Sequence, residues 1–454
     1  MDDPASKDFP PMRLLPPPCK SSFQRALLCG LLAGGRLRLR FRDEDPAGYL
    51  ARAGDLSVLL RALGVLGVTV DRALPLEGDG RTGFVEVVGR GWTADEAVFD
   101  LGGNATALRM LTGIAACLGG RYRFDGAEGL ERRSLGFLRP LLQQHGVDFA
   151  FAGTLDHVPF RLDSRGALEL FDDDLLLACD LRDGTQAASG LLLGLAATGS
   201  RARLALEPIR GGHLPGYLAL TARVLAGFGV HVVTGPAGRG RLLAGTDGAA
   251  LRSPGRLDVP ADPSSAAWIL VLAAGLGRRV TIEGLDLATP HPDLALTTDL
   301  EALGQSFVRD GTDLVLEPAP LPPGDRVVGD LDDRPDCFPA LAAILSAVPG
   351  RHVLGEAPKL RGKESDRIAV LARGLAALGF EVEERRGSLI LHGREPGRWA
   401  PPQGVVLDPD GDHRMYMAFA CLARIHGVEV EVADPACVAK SWPGFPRMLA
   451  AFSA

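Results

Sequence analysis

The strongest constraint on the fold is an internal repeat. An apolar, helix-like run, a turn residue (usually glycine) and a β-rich run recur six times along the 454 residues. The copies are ALLCGLLAGGRLRLRF from Ala26, MLTGIAACLGGRYRFDG from Met110, ASGLLLGLAATGSRARLALE from Ala188, AAWILVLAAGLGRRVTIEGLD from Ala266, ALAAILSAVPGRHVLGEAP from Ala340 and MYMAFACLARIHGVEVEV from Met415. Glycine after an apolar run supplies the left-handed cap that ends a helix, and the alternating run behind it has the period of a half-buried strand. A second helix-like run follows each copy, near Leu59, Phe137, Leu220, Thr297 and Leu371, and the sixth, from Phe445, ends without its strand. The period, roughly 75–85 residues, is too long for a solenoid of single helix pairs.

A chain this long exceeds what one hydrophobic core supports, so two domains of roughly 200 residues are expected, with three units in each. The first helices, such as AAWILVLAAG from Ala266, are apolar on nearly every side. Such helices belong inside a domain with the sheets around them. Proline and glycine cluster at Pro254–Pro263, and a second crossing is expected near Pro16–Ser22. The expected division is residues 1–18 with 260–454, carrying repeats four to six, and residues 19–259, carrying repeats one to three.

A net charge of -7 argues against a general nucleic-acid or anionic-membrane surface, so any anion site must be local. The seven cysteines are scattered and form no C-x-x-C pair, the pattern of reduced thiols that mostly fill apolar space. The N-terminal stretch has no signal-peptide pattern and no run approaches a membrane span, so a cytoplasmic protein is expected. The acidic runs Phe171–Asp174 and Asp330–Asp336 lack the punctuation of a calcium loop and read as solvated turns; no metal is expected.

Each repeat opens with polar residues at the start of its first helix. Lys20, Ser21 and Arg25 open the first, Thr106 and Arg109 stand behind a glycine pair in the second, and Arg132 and Arg133 follow it. RDGTQAASG opens the third at Arg182, DPSSAAW the fourth at Asp262, RPDCFPA the fifth at Arg334 and DGDHRMYM the sixth at Asp410. Helix N-termini attract anions, so such helices converging within a domain imply an anionic ligand. The glycine spacing matches no nucleotide motif. The densest concentration of charge is the octet Leu360–Arg367, LRGKESDR, with Asp412-His413-Arg414-Met415 behind it.

CKSSFQRALL, LGGNATALR, DGTQAASGLL, DPSSAA, RPD, LRGKESDR, DHRM and DPACVAKSWPGF, in that order and spacing, resemble the enolpyruvyl transferase family, nearest to its branch that acts on shikimate 3-phosphate. The sister branch acting on UDP-N-acetylglucosamine lacks the KESDR and DHRM pair and uses a loop cysteine with no counterpart here. The resemblance implies an α/β fold, a two-domain inverse α/β barrel with the active site in the interdomain cleft. It implies transfer of the enolpyruvyl group of phosphoenolpyruvate to an acceptor hydroxyl with release of phosphate, without a cofactor. A monomer acting on small molecules is expected, with no nucleic acid or membrane partner. Phosphoenolpyruvate would meet Lys20, Ala105, Thr106, Arg133, Gln186, Arg367, Arg414 and Lys440, with His413 in the same pocket. The acceptor would meet Ser21, Arg25, Gly184, Thr185, Gln186, Leu214, Tyr217, Asp336, Lys359 and Lys363. Lys20 and Glu364 would move protons at the phosphoenolpyruvate carbon, Asp336 would take the hydroxyl proton, and His413 completes the catalytic set.

The departures from the family pattern concentrate on the acceptor. Ala105 stands where the family has glycine, so a methyl group crowds the donor pocket and implies reduced sensitivity to glyphosate. Gly184 and Leu214 replace serines that hold the 3-phosphate of the acceptor, removing hydrogen bonds to an anion at roughly 1.5–3 kcal/mol each. Lys359 replaces an asparagine, and Arg36–Asp55 is longer than the corresponding family turn. Two acceptors therefore stand open, shikimate 3-phosphate and a different hydroxyl such as the 3′-hydroxyl of UMP, used by homologues in peptidyl-nucleoside antibiotic pathways. A third reading, a binding protein without catalysis, is opposed by the joint presence of Lys20, Asp336, Glu364, Arg367, Arg414 and Lys440.

Overall fold

The computed structural model describes residues 12–71, 80–127, 129–165, 175–209, 212–238 and 240–453. The acidic run at 171–174 lies outside them. The chain divides into two compact units, residues 1–17, 260–288 and 293–454 in one, and 18–259 with 289–292 in the other. The short segment 289–292 thus packs with the unit whose main chain has already ended at 259.

In the unit built on 18–259, one arrangement occurs three times among the described residues. Strand Glu96–Asp100 leads into helix Ala105–Leu118, which returns to strand Gly120–Asp125 parallel to the first. Strands Phe160–Ser164 and Val147–Phe151 then extend the sheet antiparallel. Leu176–Asp180, helix Gln186–Thr198, Arg203–Glu207, Leu242–Thr246 and Val232–Pro236 repeat the order. In the remaining sheet the parallel partner of Gly35–Arg42 is Arg256–Asp258, so the unit's last strand closes its first sheet.

The other unit uses the same device. Strand Met12–Leu14 pairs parallel with Val280–Ile282, which follows helix Pro263–Gly275. Arg326–Val328, helix Cys337–Leu345 and Gly350–Leu354 form the next copy. Among the described residues the last copy pairs Val406–Leu407 with Glu431–Val432, and helix Phe445–Ala451 follows.

The apolar sequence of the first helices explains their position. Helix Pro263–Gly275 is buried from Pro263 through Ala274, so no polar stripe is needed. The sheets are two-faced: Leu37, Leu39 and Phe41 are buried while the alternating Arg36 and Arg38 are exposed and Arg40 is half-buried. Helices Ala105–Leu118 and Gln186–Thr198 touch backbone to backbone. A Cβ on Gly113 would sit 2.8 Å from the Gly190 carbonyl carbon, and one on Gly190 would sit 2.7 Å from Met110 Cα. Among the described residues no helix is long and apolar enough to cross a membrane.

Candidate functional site

In the unit carrying residues 260–288 and 293–454, the octet and the DHRM motif meet at one guanidinium. Arg367 begins helix Arg367–Ala377, and its side chain is 2% exposed. Its Nε donates to Asp412 Oδ2 at 2.8 Å, Nη1 to Asp336 Oδ1 at 2.6 Å and Nη2 to Glu364 Oε2 at 2.9 Å. Arg414 grips the other oxygen of Asp336 at 3.0 Å and donates from Nη1 to the Ser264 carbonyl at 3.0 Å. Lys440 approaches Glu364 Oε1 at 3.4 Å. Three cations thus interlock with three carboxylates, the two arginines through planar guanidinium forks and Lys440 through a single ammonium contact.

Local sequence explains how these side chains are aimed. Asp412, fully buried, accepts from the Arg414 backbone N–H at 2.8 Å and so caps helix His413–His426. His413 and Arg414 then lie in the first turn, with His413 2% exposed and its Nδ1 3.7 Å from Asp412 Oδ1. Asp366 caps the helix that starts at Arg367 in the same way.

The electrostatics of Asp336 follow from this packing. Burial by itself would raise its carboxyl, but Arg414, Arg367 and Lys363 outweigh burial and hold it well below the usual carboxylate range. Asp293, 2% exposed, behaves in the opposite way. Burial and the Asp336 charge push it up to about 6, against a 2.5 Å hydrogen bond from Ser264 Oγ and the attraction of Arg414. Two carboxyl groups in one cluster are therefore driven apart.

The unit carrying 18–259 holds the remaining expected residues. Lys20 begins helix Lys20–Ala33 and pairs with Asp55 at 2.8 Å. Asn104 caps helix Ala105–Leu118 and donates to the Asp55 carbonyl at 2.9 Å and to Gln24 Oε1 at 3.2 Å, tying that helix start to Lys20's partner. Ala105 and Thr106 are the first residues of that helix. Gln186 Nε2 donates to Thr106 Oγ1 at 2.8 Å, while its Oε1 accepts from Arg109 Nη1 at 2.8 Å. Arg109 is itself fixed by two bonds to the Ser134 carbonyl, 3.0 Å from Nε and 2.6 Å from Nη2. This chain settles which end of the Gln186 amide faces which neighbour. Arg133 is buried nearby in sequence.

Arg25 is 1% exposed. It donates to Thr221 Oγ1 at 2.8 Å, the Ser21 carbonyl at 2.9 Å, the Tyr217 carbonyl at 3.3 Å and Ser189 Oγ at 3.4 Å. Burial lowers its guanidinium to about 10. Its Cζ lies 6.0 Å from the Tyr217 ring centre. Arg25, expected at the acceptor, thus also braces the helix starts bearing Ser21 and Tyr217.

The altered positions have structural consequences. Gly184 has φ +111°, a backbone that L side chains rarely adopt, and Thr185 follows it at the head of helix Gln186–Thr198. Leu214 packs partly buried against the apolar core. Lys359, expected at the acceptor, forms an ion pair with Asp332 at 2.8 Å within the unit. The Asp330–Asp336 run is dispersed among partners: Asp332 to Lys359, Asp336 to Arg367 and Arg414, and Arg334 to Asp299. The long segment from Arg36 contributes strand Gly35–Arg42 and helix Pro46–Arg52, and ends on Asp55.

Sequence reasoning quoted Asp412 within its motif without giving it a role, and did not single out Asp55, Asp293 or Asn104. Asp412 carries a local signal, an aspartate immediately before an apolar helix. Asp55 carries none, because its partner Lys20 is 35 residues away.

The sequence model of the family described as EPSP synthase (3-phosphoshikimate 1-carboxyvinyltransferase) matches residues 13–449. A protein of that name from Ralstonia pickettii is 31% identical, with 94% of each chain covered. One from Methanoculleus marisnigri is 33% identical, again with 94% of each covered. Among solved structures, EPSP synthase from Acinetobacter baumannii has a TM-score of 0.70 at 22% identity, covering 97% of this chain and 95% of that one. The enolpyruvyl transferase NikO from Streptomyces tendae has a TM-score of 0.67 at 17% identity, covering 98% and 95%. The two solved structures establish the likeness of fold.

Proposed function

Because the chain belongs to the EPSP synthase (3-phosphoshikimate 1-carboxyvinyltransferase) family, we propose that it transfers the enolpyruvyl group of phosphoenolpyruvate to shikimate 3-phosphate, giving 5-enolpyruvylshikimate 3-phosphate and phosphate. The observation that carries this reading is the interlocked cluster of Arg367, Arg414 and Lys440 with Asp336, Glu364 and Asp412. The same proposal takes the two units as the domains of an inverse α/β barrel with the active site in the interdomain cleft; the repeated helix-and-sheet unit supports it. It also takes the protein as a cytoplasmic monomer.

Protonation of the methylene carbon makes the second carbon of phosphoenolpyruvate electrophilic. The acceptor hydroxyl adds there, giving up its proton, and loss of phosphate from the adduct together with a proton from its new methyl group leaves the enol ether. Lys20 and Glu364 serve the proton at carbon, Asp336 takes the hydroxyl proton, and His413 lines the donor pocket. Arg133, Gln186, Arg367, Arg414 and Lys440 hold the donor, with Ala105 and Thr106 bringing a helix N-terminus against it. Ser21, Arg25, Thr185, Tyr217 and Lys363 serve the acceptor. Without substrate, Asp336 is too strongly stabilised as a carboxylate to be an effective base. Donor carboxylate and phosphate compete for Arg367 and Arg414, and that competition raises the proton affinity of Asp336 when a base is needed.

A second acceptor reading rests on Gly184 and Leu214. A glycine with φ +111° and a core-packed leucine present no hydroxyl to a 3-phosphate, which favours an acceptor such as the 3′-hydroxyl of UMP. Phosphate release from phosphoenolpyruvate, measured with each acceptor, decides. Release with shikimate 3-phosphate supports the first reading, release only with UMP supports the second, and release with neither supports a binding protein.

A further inference from the structure

The octet Leu360–Arg367 contains one cation to which the proposed reaction gives no task, Arg361. Its guanidinium meets four acceptors. Nη1 donates to Asp366 Oδ2 at 2.8 Å and to Glu384 Oε1 at 2.6 Å. Nε donates to the Arg386 carbonyl at 3.0 Å, and Nη2 to the Arg385 carbonyl at 2.6 Å. Three of these acceptors belong to the hairpin of strands Val382–Arg385 and Ser388–Gly393 or its turn.

The fourth belongs to the octet itself. Asp366 uses its other oxygen to accept from the Ala369 N–H at 3.0 Å, capping the helix whose first residue is Arg367. One carboxylate therefore joins the helix cap to Arg361. A single exposed Arg–Asp pair would matter little, but a planar fork with four convergent acceptors is a geometry that lysine cannot reproduce. The side chain is 28% exposed, and Arg361 is the next-to-last residue of the turn Pro358–Gly362, which leads directly into Lys363 and Glu364.

We propose that Arg361 is a positioning residue, clamping both ends of the segment that carries Lys363 and Glu364 to the hairpin Val382–Gly393 so that Glu364 and Arg367 stay in register with Lys440, Asp336 and Asp412. The segment between the two clamped ends is short, so its backbone has little freedom once both are held. Misplacement by about 1 Å is enough to cost a proton-transfer site on the order of 100-fold. A separate bond, Ala357 N–H to the Gly387 carbonyl at 2.9 Å, also joins turn to hairpin. It remains when Arg361 is replaced, so a variant keeps the chain path while losing the clamp.

The kinetic part of the test rests on the proposed enolpyruvyl transfer; the exchange part does not. Hydrogen exchange read by mass spectrometry on Arg361→Ala is expected to be about tenfold faster across residues 361–367, with helix Pro263–Gly275 unchanged. Arg361→Lys and Glu384→Gln are expected to fall between it and the parent. With the active acceptor, kcat is expected to fall about 10- to 100-fold in Arg361→Ala, with KM for phosphoenolpyruvate moving less, and Arg361→Lys is expected to rescue only part of it. Exchange and kcat within about twofold of the parent overturn the proposal, as does faster exchange spread over the whole unit. If the parent releases no phosphate with any acceptor, the reaction assignment fails and exchange alone decides the clamp. If Arg361→Ala does not fold, Arg361→Lys and Glu384→Gln give the same decision.

Discussion

Arg367 and Asp412 face each other at 2.8 Å, Nε to Oδ2, with the guanidinium 2% exposed and the carboxylate fully buried. Neither ion can be hydrated in the folded chain, so each depends on the other. Asp412 also caps the helix that carries His413 and Arg414. One carboxylate therefore sets the position of two of the arginines expected to bind donor.

Removing that carboxylate strands a buried guanidinium. Asp412→Ala is expected to lower unfolding stability by about 3–5 kcal/mol, and Asp412→Asn, which keeps the cap acceptor, by less. Urea unfolding followed by tryptophan fluorescence checks this, since Trp268, Trp399 and Trp442 lie in the same unit. An Asp412→Ala midpoint equal to the parent's contradicts the role.

Ala105 heads helix Ala105–Leu118 where the family resemblance places glycine. Ala105→Gly removes one methyl group from the donor pocket and is expected to increase glyphosate inhibition by about 10- to 200-fold, the range for one methyl-sized change in a binding site. Inhibition of phosphate release measures it, and unchanged sensitivity refutes the crowding.

Restoring the family serine at residue 184 is expected to fail on its own. With φ +111°, a side chain there carries backbone strain of about 1–3 kcal/mol. Gly184→Ser should lower the thermal midpoint without improving KM for shikimate 3-phosphate. A gain in KM without loss of stability would mean that the backbone relaxes at no cost.

His426 supplies a pH dependence. Its Nε2 lies 3.0 Å from Ser346 Oγ, and it packs edge-on against Trp399 and Phe380. Burial lowers the imidazole to about 4, partly offset by the Ser346 bond, with Arg394 lowering it further. Between that value and the ordinary one near 6.5, the unfolded chain binds the proton and the folded chain does not. The stability is complete above about pH 6.5 and declines as pH falls towards 4, by on the order of 2–3 kcal/mol. Urea midpoints at pH 7 and pH 4.5 measure this decline, and His426→Gln should flatten it; an equal decline in the variant assigns it to other groups.

How much was readable before folding depended on the range of each signal. The helix starts behind Asn104 and Asp412 carry a local signal, a capping residue ahead of an apolar run, although neither residue was singled out for it; capping is decided within a turn of chain. The buried helices follow from sequences with no polar face. Motif order placed Lys359 and Arg25 through the family resemblance, while the partners they meet, Asp332 for Lys359 and Thr221 for Arg25, carry no signal among neighbours along the chain.

By itself, then, the sequence determined the sixfold unit and the assembly of Glu364 and Arg367 in one octet, since periodicity and motif order are properties of neighbours along the chain. Only the tertiary structure decided which polar group meets each buried cation. Arg367 finds Asp412 across 45 residues, and Arg25 finds Thr221 across 196. Such pairings are selected by the desolvation of both groups when the core closes around them, a cost that exists only in the folded chain.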